Sequence, residues 1–161
     1  MPKVPVVPQN LAVPATQGLS LETLATGVQV YECTAAKDNQ TQFEWTFKAP
    51  EAELFDNAGI RIGKHYAGPS WEMTDGSAVT GKVAAQAPGA GPDDIPLLKL
   101  EGASWRGMGQ LSTITTIQRL NTRGGRVDAP CDTAGSFLSV PYTTDYAFYR
   151  KTTDPLSRQT H

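Results

Sequence analysis

The segment from Gly63 to Gly76 concentrates residue types that carry chemistry. It reads Gly-Lys-His-Tyr-Ala-Gly-Pro-Ser-Trp-Glu-Met-Thr-Asp-Gly. His65 is the only histidine besides His161 at the C-terminal end. Imidazole titrates near neutrality, and a carboxylate can fix its tautomer. His65 with Glu72, supported by Asp75, could therefore form an acid/base pair. In the competing reading, His65 bonds a backbone carbonyl and holds the Gly68-Pro69 turn. Glu72 follows Trp71, and a carboxylate desolvated against an indole has a raised pKa. A structural Glu72 would instead satisfy loop amides.

Other chemistries are poorly served. No Gly-x-Ser-x-Gly elbow, phosphate loop or dinucleotide fingerprint is present. A metal centre needs three or four ligands, and one internal histidine with Glu72 and Asp75 makes a thin set. No metal and no cofactor are expected. Asp93-Asp94 sits in a Gly/Pro loop and reads as a solvated pair. Gly107-Met108-Gly109 reads as a bulge or turn. Arg119, Arg123 and Arg126 crowd around Asn121 and Gly124-Gly125, where arginines could clamp a carboxylate or phosphate; the alternative is a solvated hairpin tip. Aromatic residues are numerous for one core. Trp71, Trp105, Tyr142 and Tyr146, with Arg119 and Asn121, form a candidate set for stacking on a sugar or another amphipathic ligand. Trp45, flanked by Phe43 and Phe47, reads as core.

The elements that must position these residues are strands. Val28–Cys33 is rich in β-branched and aromatic residues, and Phe43–Lys48 alternates three aromatics with polar residues, as a half-buried antiparallel strand does. Val79–Ala85, Leu97–Ala103, Gly109–Leu120, Phe137–Val140 and Thr144–Arg150 complete the set. Turn signals at Asp38-Asn39, Asn57-Ala58-Gly59, Asp75-Gly76, Pro88–Pro92 and Gly124-Gly125 separate them. Residues 86–94 read as the most flexible loop. The pattern predicts an all-β fold, an antiparallel sandwich or closed barrel with long loops. At most a short helical turn is expected near residues 20–26, capped by Ser20 and ended by Gly27. Four prolines among the first 14 residues make residues 1–18 an extended arm. Residues 19–151 form the domain and residues 152–161 a tail.

The 161 residues suit one domain. A net charge of −2 argues against nucleic-acid binding. No run approaches about 18 apolar residues, which excludes a membrane-spanning helix. Residues 1–105 carry seven basic and twelve acidic groups, and residues 106–161 carry seven and four. Such a bias could steer an anionic ligand or a like subunit, although a solvated surface explains it as well. Cys33 and Cys131 belong to no CxxC motif. They are either two free thiols or one long-range disulfide, and a loop cysteine beside Asp132 favours the bridge. A bridge requires an oxidising compartment. The proline-punctuated start has no signal-peptide character, so an exported protein would be a mature form.

Several strings carry a family resemblance: Gly27–Cys33, Ala49–Leu54, His65–Glu72 followed by Asp75-Gly76-Ser77, Ile117–Thr122 with Gly124-Gly125, and Val140-Pro141-Tyr142 through Asp145-Tyr146. Together they resemble the domain-of-unknown-function family 3455 of bacteria and fungi over roughly residues 8–150. The resemblance implies secretion, or a periplasmic location, and supports the Cys33–Cys131 bridge. It implies no activity. The family often has a Trp after the Ile-Pro step, where this chain has Leu97 after Ile95-Pro96. Three functions are compatible with the sequence. The leading one is a secreted β-domain that binds a small molecule or glycan. The second is an acid/base lyase, isomerase or hydrolase using His65 and Glu72. The third is an assembly subunit that self-associates by adding residues 1–18 to a neighbour's sheet edge.

Overall fold

The computed structural model describes residues 5–39 and 41–152. Eight strands follow one another in chain order: β1 (Gln17–Ala35), β2 (Phe43–Phe55), β3 (Arg61–Tyr66), β4 (Ser70–Met73), β5 (Ala78–Ala87), β6 (Leu97–Arg106), β7 (Ile114–Gly124) and β8 (Phe137–Lys151). Each pairs antiparallel with the next, and β8 returns to β1 from Gln17↔Lys151 to Glu32↔Phe137. The fold is therefore an up-and-down closed barrel, which settles the choice between sandwich and barrel. Among the described residues, the one helical element is a 3-10 turn at Gln9–Leu11, and no helix is long and apolar enough to cross a membrane.

The helical turn expected near residues 20–26 is strand. Leu21, Thr23 and Ala25 alternate inward with Glu22, Leu24 and Thr26, and the segment pairs with β8. Pairing with a neighbouring strand overrides the weak capping signal of Ser20. The segment Phe137–Val140 and the segment Thr144–Arg150 form one strand through Pro141. At Pro141, β8 pairs with β1 alone, because β7 ends at Gly124 opposite Tyr142. Pro50 likewise lies where β2 pairs with β1 alone, since the β2–β3 ladder runs only from Ala52 to Phe55. Proline is tolerated in strands at such one-sided positions because no ladder bond needs its missing N–H.

Two apolar clusters flank the wall. Inside, Leu54, Met73, Val79, Leu111, Ile114, Ile117 and Phe148 fill one half of the barrel. Outside, Leu11 packs on Leu120, Ala147 and Tyr149. Residues 5–14 thus lie across the outer face of their own barrel. The buried Gln118 side chain donates from Nε2 to Leu11 O at 2.7 Å and accepts at Oε1 from the Tyr149 hydroxyl at 2.8 Å, so both its nitrogen and its oxygen are bonded. Asn10 and Lys99 add bonds to Gln86 O and Ala12 O. The remainder of the predicted arm, residues 1–4, and the tail beyond residue 152, including His161, fall outside the described residues.

The loops β1–β2, β3–β4, β5–β6 and β7–β8 share one end of the barrel. Cys33 and Cys131 form a disulfide that ties the β7–β8 loop to the end of β1. The loop expected to be most flexible, residues 86–94, is pinned instead. Asp94 accepts from Gly91 N at 3.0 Å and Gly124 N at 2.7 Å, and Ile95 N donates to Gly124 O. Arg126 Nη1 reaches Pro92 O, and Thr122 Oγ1 donates to Ile95 O. Glycine content alone concealed these bonds, and Asp94 is a loop clamp rather than a solvated acid.

Candidate functional site

The half of the barrel nearest these loops is not filled. A cavity of about 540 Å³ opens there. Its floor is an aromatic layer. His65 of β3 stacks on Trp71 of β4 with centroids 4.6 Å apart, and Tyr146 of β8 meets both from across the lumen at 5.0 and 5.4 Å. Gly81 gives the indole room, because a Cβ there would lie 3.1 Å from Trp71 Cζ3. Below this layer Phe148 continues the packed core. The wall carries Gln29, Arg119 and Leu100. Phe47 and Val83 line the cavity and remain 47 % and 48 % exposed, forming an apolar rim. The rim is accessible partly because residues 43–51 of β2 have no partner on the β3 side.

Strand alternation fixes which residues enter the cavity. His65 pairs in register with Trp71, and Lys64 with Glu72. His65 and Glu72 therefore project from opposite faces of the wall, and the structure does not bring them together. His65 Nδ1 donates to Ser70 O at 2.8 Å, the backbone bond of the structural reading, leaving Nε2 as the ring's acceptor. Burial pushes the imidazole down to about 3, and Arg119 adds to the effect. The ring is neutral at physiological pH.

Glu72 lies outside, where it accepts from the Tyr66 hydroxyl and Arg106 Nη2, both at 2.8 Å. The Tyr66 bond, with Lys64 and Arg106 nearby, holds the carboxyl below its usual range. The raised value expected from Trp71 is reversed because the indole points the other way. Asp75 is a turn clamp, accepting from Ser77 N, Ser77 Oγ and Gln110 N. These bonds lower its pKa, the Ser77 hydroxyl most.

The six candidate ligand residues divide. Trp71, Arg119 and Tyr146 line the cavity. Tyr142 is buried but does not line it. Trp105 is half exposed on the outer wall, its indole donating to Ile114 O. Asn121, with φ of 53°, donates outward to Asp145 Oδ2. The three arginines do not converge either: Arg126 pairs with Asp128 at 3.2 Å, and Arg123 is exposed. Trp45 is only half-buried, because its stretch of β2 lacks a β3 partner. Leu97 packs outside, under residues 5–14, so the altered Ile-Pro step leaves the cavity lining to Pro96 and Leu98.

Sequence reasoning missed Gln29 as a site residue. The alternation of Val28–Cys33 carried the signal, since it places Gln29 on the same face as Tyr31 and Cys33. Three buried polar atoms on cavity-lining residues have no hydrogen-bond partner: Gln29 Oε1, Trp71 Nε1 and the Tyr146 hydroxyl. Native proteins leave few such groups without a reason. Burial also pushes the Tyr146 hydroxyl pKa up, so it stays a neutral donor. Among the described residues, no group of three His, Cys, Asp or Glu side chains gathers as a metal site.

No curated protein and no solved structure matches the chain. The sequence model of the family described as "Protein of unknown function (DUF3455)" matches residues 14–150, nearly the whole barrel, and the chain belongs to that family.

Proposed function

We propose that the protein binds a small amphipathic molecule in the mouth of its barrel. One observation carries the reading: a cavity of about 540 Å³ among whose lining residues three carry buried polar atoms without partners. The volume falls within the roughly 300–1,000 Å³ of ligand pockets, which are mostly apolar with a few placed polar groups. Eight-stranded barrels have an interior wide enough to hold one small ligand. A glycan is less well served, because sugars stack on exposed aromatic faces, whereas Trp71 is buried under His65.

The test is titration with a neutral naphthyl dye, N-phenyl-1-naphthylamine, read by fluorescence on the full, non-reduced chain. Saturable one-to-one binding is expected. Leu98→Trp adds an indole to the cavity wall and narrows the space, which should weaken binding at least about tenfold, while Val83→Ser at the rim should weaken it less. Absence of saturable binding, or unchanged affinity in a folded Leu98→Trp variant, refutes the reading.

A further inference from the structure

We propose that the ligand of this cavity carries a carboxylate, bound by the Arg119 guanidinium inside the barrel, with its apolar body against the aromatic floor. The inference rests on the small-molecule reading and deepens it by naming the ligand class. Arg119 stands in register between Leu98 of β6 and Tyr146 of β8, on the inward face of β7. Its Nε donates to Pro96 O at 3.0 Å. Its two terminal nitrogens make no further hydrogen bond among the described residues, although the Tyr146 hydroxyl stands beside the guanidinium and feels its charge; no carboxylate of the described residues lies within salt-bridge reach, and no Asp or Glu lines the cavity. The contrast with the outer surface is direct. Arg61, Arg106 and Arg126 each meet a carboxylate at 2.8–3.2 Å.

A guanidinium drawn partly out of water without a counter-charge is unfavourable. A ligand carboxylate supplies that charge, and its two oxygens match the planar fork. Charge balance favours a monoanion over a phosphate dianion. His65 is neutral, held near about 3 by burial, and Lys48 at the rim already pairs with Glu32 at 3.1 Å. Arg119 is then the one uncompensated cation among the described cavity residues.

The experiment compares 2-naphthoate with 2-naphthamide, which have nearly the same shape and differ in charge. Both are titrated calorimetrically into the full, non-reduced chain at low salt, beside the neutral dye. In the wild type, naphthoate should bind at least about tenfold tighter, as expected for bonds to a charged partner. Arg119→Met keeps the apolar stem and removes the charge. It should abolish this preference, bringing the acid and amide affinities to within about twofold of each other. If Arg119→Met does not fold, Arg119→Lys takes its place. That variant keeps the charge without the fork, and it should retain a preference smaller than the wild type's. Equal affinities for acid and amide in the wild type overturn the carboxylate inference and leave the binding reading standing. So does dye binding without naphthoate binding. Failure of all three compounds overturns both.

Discussion

His65 makes the stability of this protein depend on pH in a way that can be isolated. The imidazole pKa is 6.5 without perturbation and is lowered to about 3 in the folded state. The folded form excludes a proton that the unfolded form accepts. Its contribution is fully present above pH 6.5 and is lost as pH falls from 6.5 towards 3. Well inside that window each pH unit costs somewhat over ~1 kcal/mol, so roughly 2 kcal/mol disappears between pH 6.5 and 4.5. Glu72 and Asp75, whose pKa values are also lowered, lose stability in the acid range too. A difference between two proteins removes their effect. His65→Gln keeps an amide donor for Ser70 O and does not titrate. Urea unfolding of both proteins at pH 7, 6, 5 and 4.5, without reductant, should give curves that diverge below pH 6.5. The wild type should fall more steeply by about 1 kcal/mol per unit or more. Parallel curves, or an NMR titration of the assigned His65 ring with a midpoint near 6.5, refute the buried, neutral imidazole.

Three further outcomes follow from named contacts. Asp94→Ala removes the acceptor of two backbone N–H groups in the β5–β6 clamp and should cost about 1–3 kcal/mol. Hydrogen exchange should rise at Gly91 and Gly124, whereas Asp93→Ala should change little. The double variant Cys33→Ser, Cys131→Ser opens a loop of 98 residues in sequence separation and should lose up to about 4–5 kcal/mol in the chain-entropy account, measured by urea unfolding beside the oxidised wild type. Gly125→Ala places a Cβ 2.9 Å from Ile95 and 3.0 Å from Tyr142 at a φ of +86°, so its melting temperature should drop by several degrees, about 1 kcal/mol being worth roughly 2–4 °C at this size.

The legible parts of the fold were those with strong two-residue alternation. Phe43–Lys48 and Val28–Cys33 announced β2 and β1, and Gly/Pro punctuation announced the turns. The short strands β3 and β4 were hidden, because six and four residues on either side of the Gly68-Pro69 turn are too few to show an alternation among the chemistry-bearing residue types of Gly63–Gly76. Their pairing is what separates His65 from Glu72, so the acid/base pair was a consequence of missing a two-strand register. The disulfide was readable from loop placement and from the family likeness. Ring closure was not, because it depends on β1 being long enough to pair with both β2 and β8 over most of its length. Of the cavity lining, Trp71, Arg119 and Tyr146 were among the aromatic and cationic candidates, and Tyr142, Trp105 and Asn121, which do not line it, were equally plausible by type. Only strand parity and the ends of ladders distinguish the two groups.

The central claim is that the unfilled half of the barrel is a binding site, and indole NMR tests it most directly. The protein has three tryptophans in distinct settings: Trp71 in the cavity floor, Trp105 bonded to Ile114 O, and Trp45 on the half-paired stretch of β2. On titration with the neutral dye, the Trp71 Nε1–H signal should shift and saturate while the Trp105 signal stays in place. A Trp71 signal that does not move, or saturating shifts centred on Trp105, would contradict the account.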